Sequence, residues 1–212
     1  MRSTTLALTG AFLAAALLTA CALVFNGVDR GAVLVTDLKL LRTKMNPSAE
    51  PAAGAEKPDE VAALEAAYGV PSQEGFGSAV FYQLLPAATG IEKAALARYR
   101  YFTGELWDRY GEEAWMGPWR EVYRRQGNTK ADIVNELRGI QDRDARQSAT
   151  VILDDVDDPD KARAALAAVF DDPALTELVV YTLGDGGAMS GLLVAGRKAA
   201  TSEAVFLVFL LD

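Results

Sequence analysis

The chain contains no histidine, and Cys21 is its only cysteine among 212 residues. Without an imidazole, the Ser-His-Asp triad, the Cys-His pair and every histidine-ligated metal site are excluded. Imidazole is also the side chain that most often carries general acid–base catalysis near neutral pH. Any catalysis would rest on carboxylates, lysine, tyrosine or arginine, so the composition favours a protein that binds over one that catalyses.

Disulfides within the chain are excluded as well, because a single thiol has no partner. A domain without disulfides must rely on its apolar core, and about 150 residues are enough to build a stable one. Basic residues are in the minority, with 21 Lys and Arg against 29 Asp and Glu and a net charge of -8. An acidic surface disfavours nucleic acid as a partner. We therefore predict no nucleic-acid binding, and nothing in the sequence indicates a cofactor.

The first 25 residues form an apolar leader. Arg2 supplies one positive charge, and residues 6–18 form an apolar core that ends in small residues. This layout is typical of an export signal. The sequence Leu18-Thr19-Ala20-Cys21 resembles the lipobox of bacterial lipoproteins. The resemblance implies that Cys21 is lipidated, becomes the mature N-terminus and tethers the protein to a membrane.

Two other fates of the leader remain open. Ala20-Cys21-Ala22 also fits an A-x-A cleavage site, after which the product would be secreted. Alternatively the leader is retained, because Leu6–Phe25 is an uncharged stretch of 20 residues, about the length that spans a bilayer. In each case we expect the folded part to lie in the bacterial cell envelope, on the periplasmic or extracellular side.

Composition divides the chain into three parts. Residues 1–25 are predicted to be a signal peptide or membrane anchor, residues 26–58 a juxtamembrane segment and flexible linker, and residues 59–212 a single α+β domain. The end of the linker, Asn46–Pro58, is rich in proline and alanine and has no apolar periodicity. Before it, the apolar run Ala32–Val35 fits either a short strand or part of a helix.

Apolar residues at helical spacing dominate the middle of the chain. A helix is predicted to begin at Pro58 and to end at Gly69, because proline and acids favour a first turn and glycine a last one. Further helices are predicted around Ala95–Tyr110 and Ile133–Ile140. Between them Gly117-Pro118 breaks the pattern, and a short helix is expected to restart and run to Gly127.

The C-terminal third has the pattern of strands. Short apolar runs predict strands at the following segments: Thr150–Leu153, Glu177–Leu183, Leu192–Ala195 and Ala204–Leu211. A helix is expected after the acids at 157–160, and Gly184–Gly187 predicts a hairpin turn. The last run lacks polar alternation, which predicts a strand buried on both faces in the middle of a sheet. The predicted fold is α+β, with a helical N-terminal half packed on a C-terminal β-α-β-β-β unit that has a mainly antiparallel sheet of three to four strands.

Two segments carry residues suited to binding a protein. Trp, Tyr and Arg dominate interface hot spots, and they are dense between residues 90 and 128, where most aromatics are expected to pack in the core. Trp115 and Trp119 flank the Gly-Pro break and are expected to be exposed. The glycine-rich turn exposes backbone groups beside an acid. The predicted partner-binding residues are Trp115, Trp119, Arg120, Arg124, Asp185 and Gly186.

The acidic residues allow a second interpretation. Asp154–Asp160 is rich in the oxygen ligands that calcium prefers, but it lacks the order of an EF-hand loop, and helix capping explains the same acids. Glu112 and Glu113 could do glycosidase-like work only if another acid faced them across a cleft. The sequence therefore predicts a membrane-tethered envelope module that binds a protein partner without catalysis. A carboxylate-based envelope hydrolase and a single-pass accessory subunit of a membrane complex are the alternatives.

Overall fold

The computed structural model describes residues 56–127 and 130–211. Over these residues the chain forms seven helices and five strands. The helices are α1 (Asp59–Tyr68), α2 (Ile91–Thr103), α3 (Glu105–Tyr110), α4 (Glu112–Met116), α5 (Ile133–Arg138), α6 (Arg143–Asp154) and α7 (Pro159–Phe170). The strands are β1 (Gly77–Leu84), β2 (Arg120–Arg124), β3 (Glu177–Gly184), β4 (Ser190–Lys198) and β5 (Glu203–Leu211). The predicted leader, with Cys21, and most of the predicted linker lie outside the described residues.

The five strands form one antiparallel sheet in the order β1-β5-β4-β3-β2. Strand β5 is an interior strand, paired with both β1 and β4, and it is buried on both faces, as its unbroken apolar run predicts. The prediction of three to four strands is wrong, because the N-terminal half contributes β1 and β2 as the two edges. The mixed helix-and-sheet class is confirmed.

Helices cover both faces of the sheet. Leu178, Val194 and Leu207 point to one face, where α1, α5, α6 and α7 pack on them. Their neighbours along each strand point to the other face, against α2, α3 and α4. Because successive residues of a strand point to opposite faces, burial on both sides explains why the runs of β3, β4 and β5 are almost wholly apolar.

Two segments differ from their predicted secondary structure. Thr150–Leu153 lies in helix α6, not in a strand, because Ala145, Ala149 and Ile152 share one buried helical face that continues through the apolar run. Residues 120–124 form strand β2, not a helix. Backbone pairing with Val179–Thr182, far away in the sequence, stabilises that extended conformation.

The ends of the helices follow local chemistry. Helix α1 begins after Pro58 and ends at Gly69, whose φ of 91° favours glycine, as predicted. The carboxylate of Asp142 accepts hydrogen bonds from the first turn of α6, and that of Asp158 does the same for α7. Among the helices within residues 56–127 and 130–211, none combines the length and apolar character that crossing a bilayer requires.

Candidate protein-binding surface

Strand β2 forms one edge of the sheet and pairs on one side only, with β3. It is five residues long, carries three charged side chains and contains an irregularity between Glu121 and Tyr123. Short length, charge and a bulge all oppose unwanted pairing with another strand. We call Trp119, Arg120, Glu121 and Arg124 the β2 edge surface, and any partner here would contact side chains more than free backbone.

Trp119 is the aromatic anchor of the β2 edge surface. Its ring is stacked on Tyr181, with centroids 4.5 Å apart and planes 8° apart. It also lies nearly parallel to the ring of Tyr99, at 5.8 Å and 13°. The indole Nε1 is 3.5 Å from a carboxylate oxygen of Glu92. The side chain is half-buried, so a rigidly held part of the indole faces solvent.

Beneath Trp119, the hydroxyl of Tyr181 is buried. Within the part of the chain that the structure describes, this hydroxyl has no hydrogen-bond partner. Burial raises the pKa of Tyr181 well above its ordinary value, and the negative charge of Glu92 raises it further. The phenol therefore stays neutral at physiological pH, and its ring provides a fixed apolar surface behind Trp119.

Both arginines of the surface are held in ion pairs. Arg120 pairs with Asp142 at the start of α6. Arg124 pairs with Glu121 at 2.6 Å and with Glu177 at 2.8 Å. The hydrogen bonds that the Arg124 guanidinium donates to Glu121 are the main cause of its raised pKa, and the guanidinium remains charged. These exposed pairs are worth little to stability, but they fix the direction of the two arginine side chains.

The glycine-rich hairpin adjoins the same edge. The buried hydroxyl of Tyr99 donates to the Gly184 carbonyl and accepts from the Gly184 N–H, both at 3.0 Å. Asp185 folds back on the turn and accepts from the N–H groups of Gly187 and Met189. Gly186 is exposed with a φ of 73°. The hairpin turn is confirmed, although the Asp185 carboxylate is partly used in stabilising it.

Trp115 is not exposed, contrary to prediction. It is fully buried, donates from Nε1 to the Leu106 carbonyl at 3.2 Å and is stacked on Trp107 at 6.2 Å. The reason is that Trp115 lies on α4, whose inner face packs on the sheet beside β3. In this fold Trp115 cannot contact a partner. The structure brings the other five predicted residues to the β2–β3 side of the sheet.

A shallow groove of about 300 Å³ lies where β2 ends. It is lined by Arg125, Asp171, Asp172, Thr176, Glu177 and neighbouring residues. Each of its carboxylates already has a cationic partner. Asp171 pairs with Arg125 at 3.1 Å, Asp172 with Lys198 at 2.6 Å and Glu177 with Arg124 at 2.8 Å. The acidic residues thus stabilise the neighbouring loops. Arg125 is a structural residue, because its guanidinium is already held in an ion pair.

The acidic loop before α7 is also engaged in local contacts. Asp158 caps α7 by accepting from the Lys161 N–H at 3.1 Å, as the capping interpretation predicts. Asp154 pairs with Arg138 at 3.0 Å and with Arg163 at 2.7 Å. In the described ranges no group of three or more acidic or cysteine side chains is arranged to hold a metal ion. Glu112 and Glu113 lie exposed on α4.

Sequence reasoning missed Glu92, Tyr99 and Tyr181 as parts of this surface. Glu92 has no distinguishing pattern, since it sits in the first turn of α2 like any acid that favours a helix start. Tyr99 is predicted to lie on an apolar helical face and Tyr181 lies within the predicted strand Glu177–Leu183; both are buried in the structure, and their rings lie against Trp119. No protein-family model, curated protein or solved structure matches the chain.

Proposed function

We propose that the protein is a non-catalytic module of the bacterial cell envelope, tethered to the membrane through its N-terminal leader, that binds a protein partner through the β2 edge surface. The observation that carries this proposal is Trp119, a partly exposed indole that lies nearly parallel to the rings of Tyr181 and Tyr99. A rigid aromatic loses little conformational entropy on binding, and this is why Trp is enriched at hot spots.

The residues around Trp119 support this function. Arg120 and Arg124 follow Trp119 along the chain, and both side chains stay exposed at this edge of the sheet although each is held in an ion pair. The exposed glycine turn at Gly186 extends the same side of the sheet. Aromatic area at the centre with charged groups around it is the usual composition of a protein interface.

Pairing of the acids argues against the hydrolase alternative. A glycosidase-like mechanism needs one carboxyl that is free to give up a proton and another that can act as base or nucleophile. In the groove beside β2, Asp172 and Glu177 are each bonded to a cation at 2.6 and 2.8 Å. The hydrogen bond from Lys198 lowers the pKa of Asp172, which keeps this carboxylate ionised and makes it a poor general acid.

Site-specific crosslinking tests the proposal. A photoreactive amino acid in place of Arg120 should give a discrete crosslinked product in the native envelope, and the same residue in place of Arg146 should not. Arg146 is an exposed arginine on α6 and serves as the matched control. Arg120→Glu should then abolish the product obtained from a probe at Arg124. Equal crosslinking from positions 120 and 146 would refute a defined surface.

The mode of tethering needs a separate measurement. Mass spectrometry of the mature N-terminus distinguishes an acylated Cys21 from a free N-terminus after cleavage and from an intact leader. We expect the acylated form. An intact leader, together with copurification of other membrane subunits in mild detergent, would instead support the accessory-subunit alternative.

A further inference from the structure

Strand β1 is the second edge of the sheet, and it lacks the features that protect β2. Gly77–Leu84 is eight residues long and contains no charged residue and no proline. Its pairing with β5 runs in unbroken register over its whole length. A long, regular, uncharged edge is a template for pairing with another strand. The backbone groups on the outer side of β1 therefore decide what this edge can bind.

The outer side of β1 is occupied at one end and open at the other. The Val80 N–H donates outward, to the loop that follows α1, whereas the Leu85 N–H donates inward, to the Ser202 carbonyl before β5. Because backbone groups alternate in direction along an antiparallel strand, those of Tyr82 and Leu84 point outward like those of Val80. Within the described residues these outward groups have no backbone partner. The C-terminal half of β1 is therefore the open part of the edge.

One face of this open half lies beside an arginine that has no anionic partner. Gln83 accepts a hydrogen bond from the Arg98 guanidinium, which also lies 5.9 Å from the centre of the Phe81 ring. Among the described residues Arg98 forms no ion pair and its buried Nε has no hydrogen-bond partner, whereas Arg100 on the same helix pairs with Asp108. Burial lowers the pKa of Arg98, but the side chain stays charged at physiological pH. An anion beside this partly buried charge would be attracted more strongly than at the open surface.

The opposite face of the open half is mainly apolar. Tyr82 and Leu84 point away from the face of Gln83, because successive residues of a strand alternate. The Tyr82 hydroxyl donates to Glu203 at 2.8 Å, and Leu84 is 56% exposed. Directly opposed residues of paired strands have their side chains on the same face. An added strand would thus place one side chain opposite Gln83, on the side of Arg98. The side chains before and after it would lie beside Tyr82 and Leu84.

We propose that the open half of β1 binds an extended segment of a partner protein with the pattern apolar-acidic-apolar. The segment adds to the sheet as a sixth strand, and its backbone pairs with the outward groups of Tyr82 and Leu84. Its acidic side chain lies opposite Gln83 and forms an ion pair with Arg98. Its apolar side chains cover Leu84 on the other face. Backbone pairing provides the affinity, and the charge of Arg98 provides the specificity.

Charge disfavours a second copy of the chain at this edge. Antiparallel pairing of two open halves about a twofold axis would centre the contact on Gln83 of each copy. The two Arg98 guanidinium groups would then lie on the same face of the joined sheet, where like charges repel. The site is also separate from the β2 edge surface, which lies at the opposite edge of the sheet.

An NMR titration of the full-length chain, in neutral detergent micelles, tests the proposal with two peptides. The probes are acetyl-Thr-Val-Glu-Val-Thr-amide and the same peptide with Gln in place of Glu. We expect the Glu peptide to shift the Tyr82 and Leu84 amide signals and to bind about fivefold more tightly than the Gln peptide, because only Glu can pair with Arg98. Arg98→Gln should remove this difference. Arg100→Gln, the matched control on the same helix, should keep it.

A third variant separates strand pairing from attraction by charge alone. The Leu84 N–H points outward, so Leu84→Pro keeps the pairing with β5 and removes a donor from the open edge. Leu84→Pro should therefore bind neither peptide. An unchanged Leu207 amide signal in every variant would show that the fold is intact.

Three results would overturn the proposal. The absence of any shift at Tyr82 and Leu84 with millimolar peptide would show that the edge is closed to added strands. Equal affinity of the unmodified chain for the two peptides would show that Arg98 does not select an acid. Tyr82 and Leu84 signals that change with protein concentration alone would assign the edge to a second copy of the chain.

Discussion

Replacing Tyr99 by phenylalanine isolates one buried interaction of the aromatic cluster. The ring remains, so its packing with Trp107, Trp115 and Trp119 is kept. Only the hydroxyl is removed, and with it the two hydrogen bonds of 3.0 Å that hold the backbone of Gly184. The substitution therefore leaves one N–H and one C=O of Gly184 without partners in a buried position.

The expected loss follows from those two groups. A buried backbone group left without a partner costs about 1–3 kcal/mol. Water can reach the nearby hairpin and satisfy part of this loss, so we expect Tyr99→Phe to lower the free energy of unfolding by about 2–4 kcal/mol. Burial raises the pKa of Tyr99 far above its ordinary value, so the hydroxyl stays neutral. The loss should therefore be the same at pH about 6 and about 9.

Urea denaturation followed by tryptophan fluorescence measures this loss, and Tyr101→Phe is the control. Tyr101 lies on the same helix, α2, and no hydrogen bond of its hydroxyl is found among the described residues. The control should change stability by less than about 0.5 kcal/mol. Equal losses in the two variants would refute the argument that the Tyr99 hydroxyl holds the hairpin.

Two further substitutions test contacts at the ends of β2. Arg125→Met breaks the nearly buried pair with Glu136, whose two hydrogen bonds measure 2.6 and 2.7 Å. The variant should lose about 3 kcal/mol of the free energy of unfolding in urea denaturation. A loss below about 0.5 kcal/mol would contradict the structural role of Arg125. Asp142→Ala removes the cap of α6 and should cost about 1 kcal/mol at pH 7. Burial raises the pKa of Asp142, but the Ala145 N–H and Arg120 outweigh it and the net pKa is lowered. The stabilisation by Asp142 is therefore present above pH about 4 and lost as the pH falls through the folded pKa. The free energies of unfolding of the unmodified protein and of Asp142→Ala should become equal in acid. A difference that stays constant with pH would disprove the linkage.

Local signals predicted many helix ends and the C-terminal strands. Pro58 and Gly69 bound α1, and the Gly184–Gly187 turn separates β3 from β4, because their backbone preferences act over a few residues. The unbroken apolar run of β5 also contains enough information to place it in the middle of the sheet. These features depend on interactions between residues that are close in the sequence, or on burial alone.

The edges of the sheet could not be predicted in the same way. The local pattern of residues 120–124 predicts a polar helical segment, but pairing with Val179–Thr182 makes these residues a strand. Thr150–Leu153 looks like a strand until α6 buries it along a helical face. The sequence predicts an exposed Trp115, but helix α4 places this side chain in the core. In each case contacts with residues distant in the sequence override a weak local preference.

The sequence by itself determined the charge and the absence of imidazole and disulfide chemistry, and it predicted many helix ends and the strands β3, β4 and β5, because each depends on composition or on short-range spacing. Only the tertiary structure decided which tryptophan is partly exposed and which edge of the sheet is formed by a short, charged strand. Those outcomes depend on the pairing of β2 with β3 and of β1 with β5, and pairing brings together residues that are more than fifty positions apart. No local pattern along the chain contains that information.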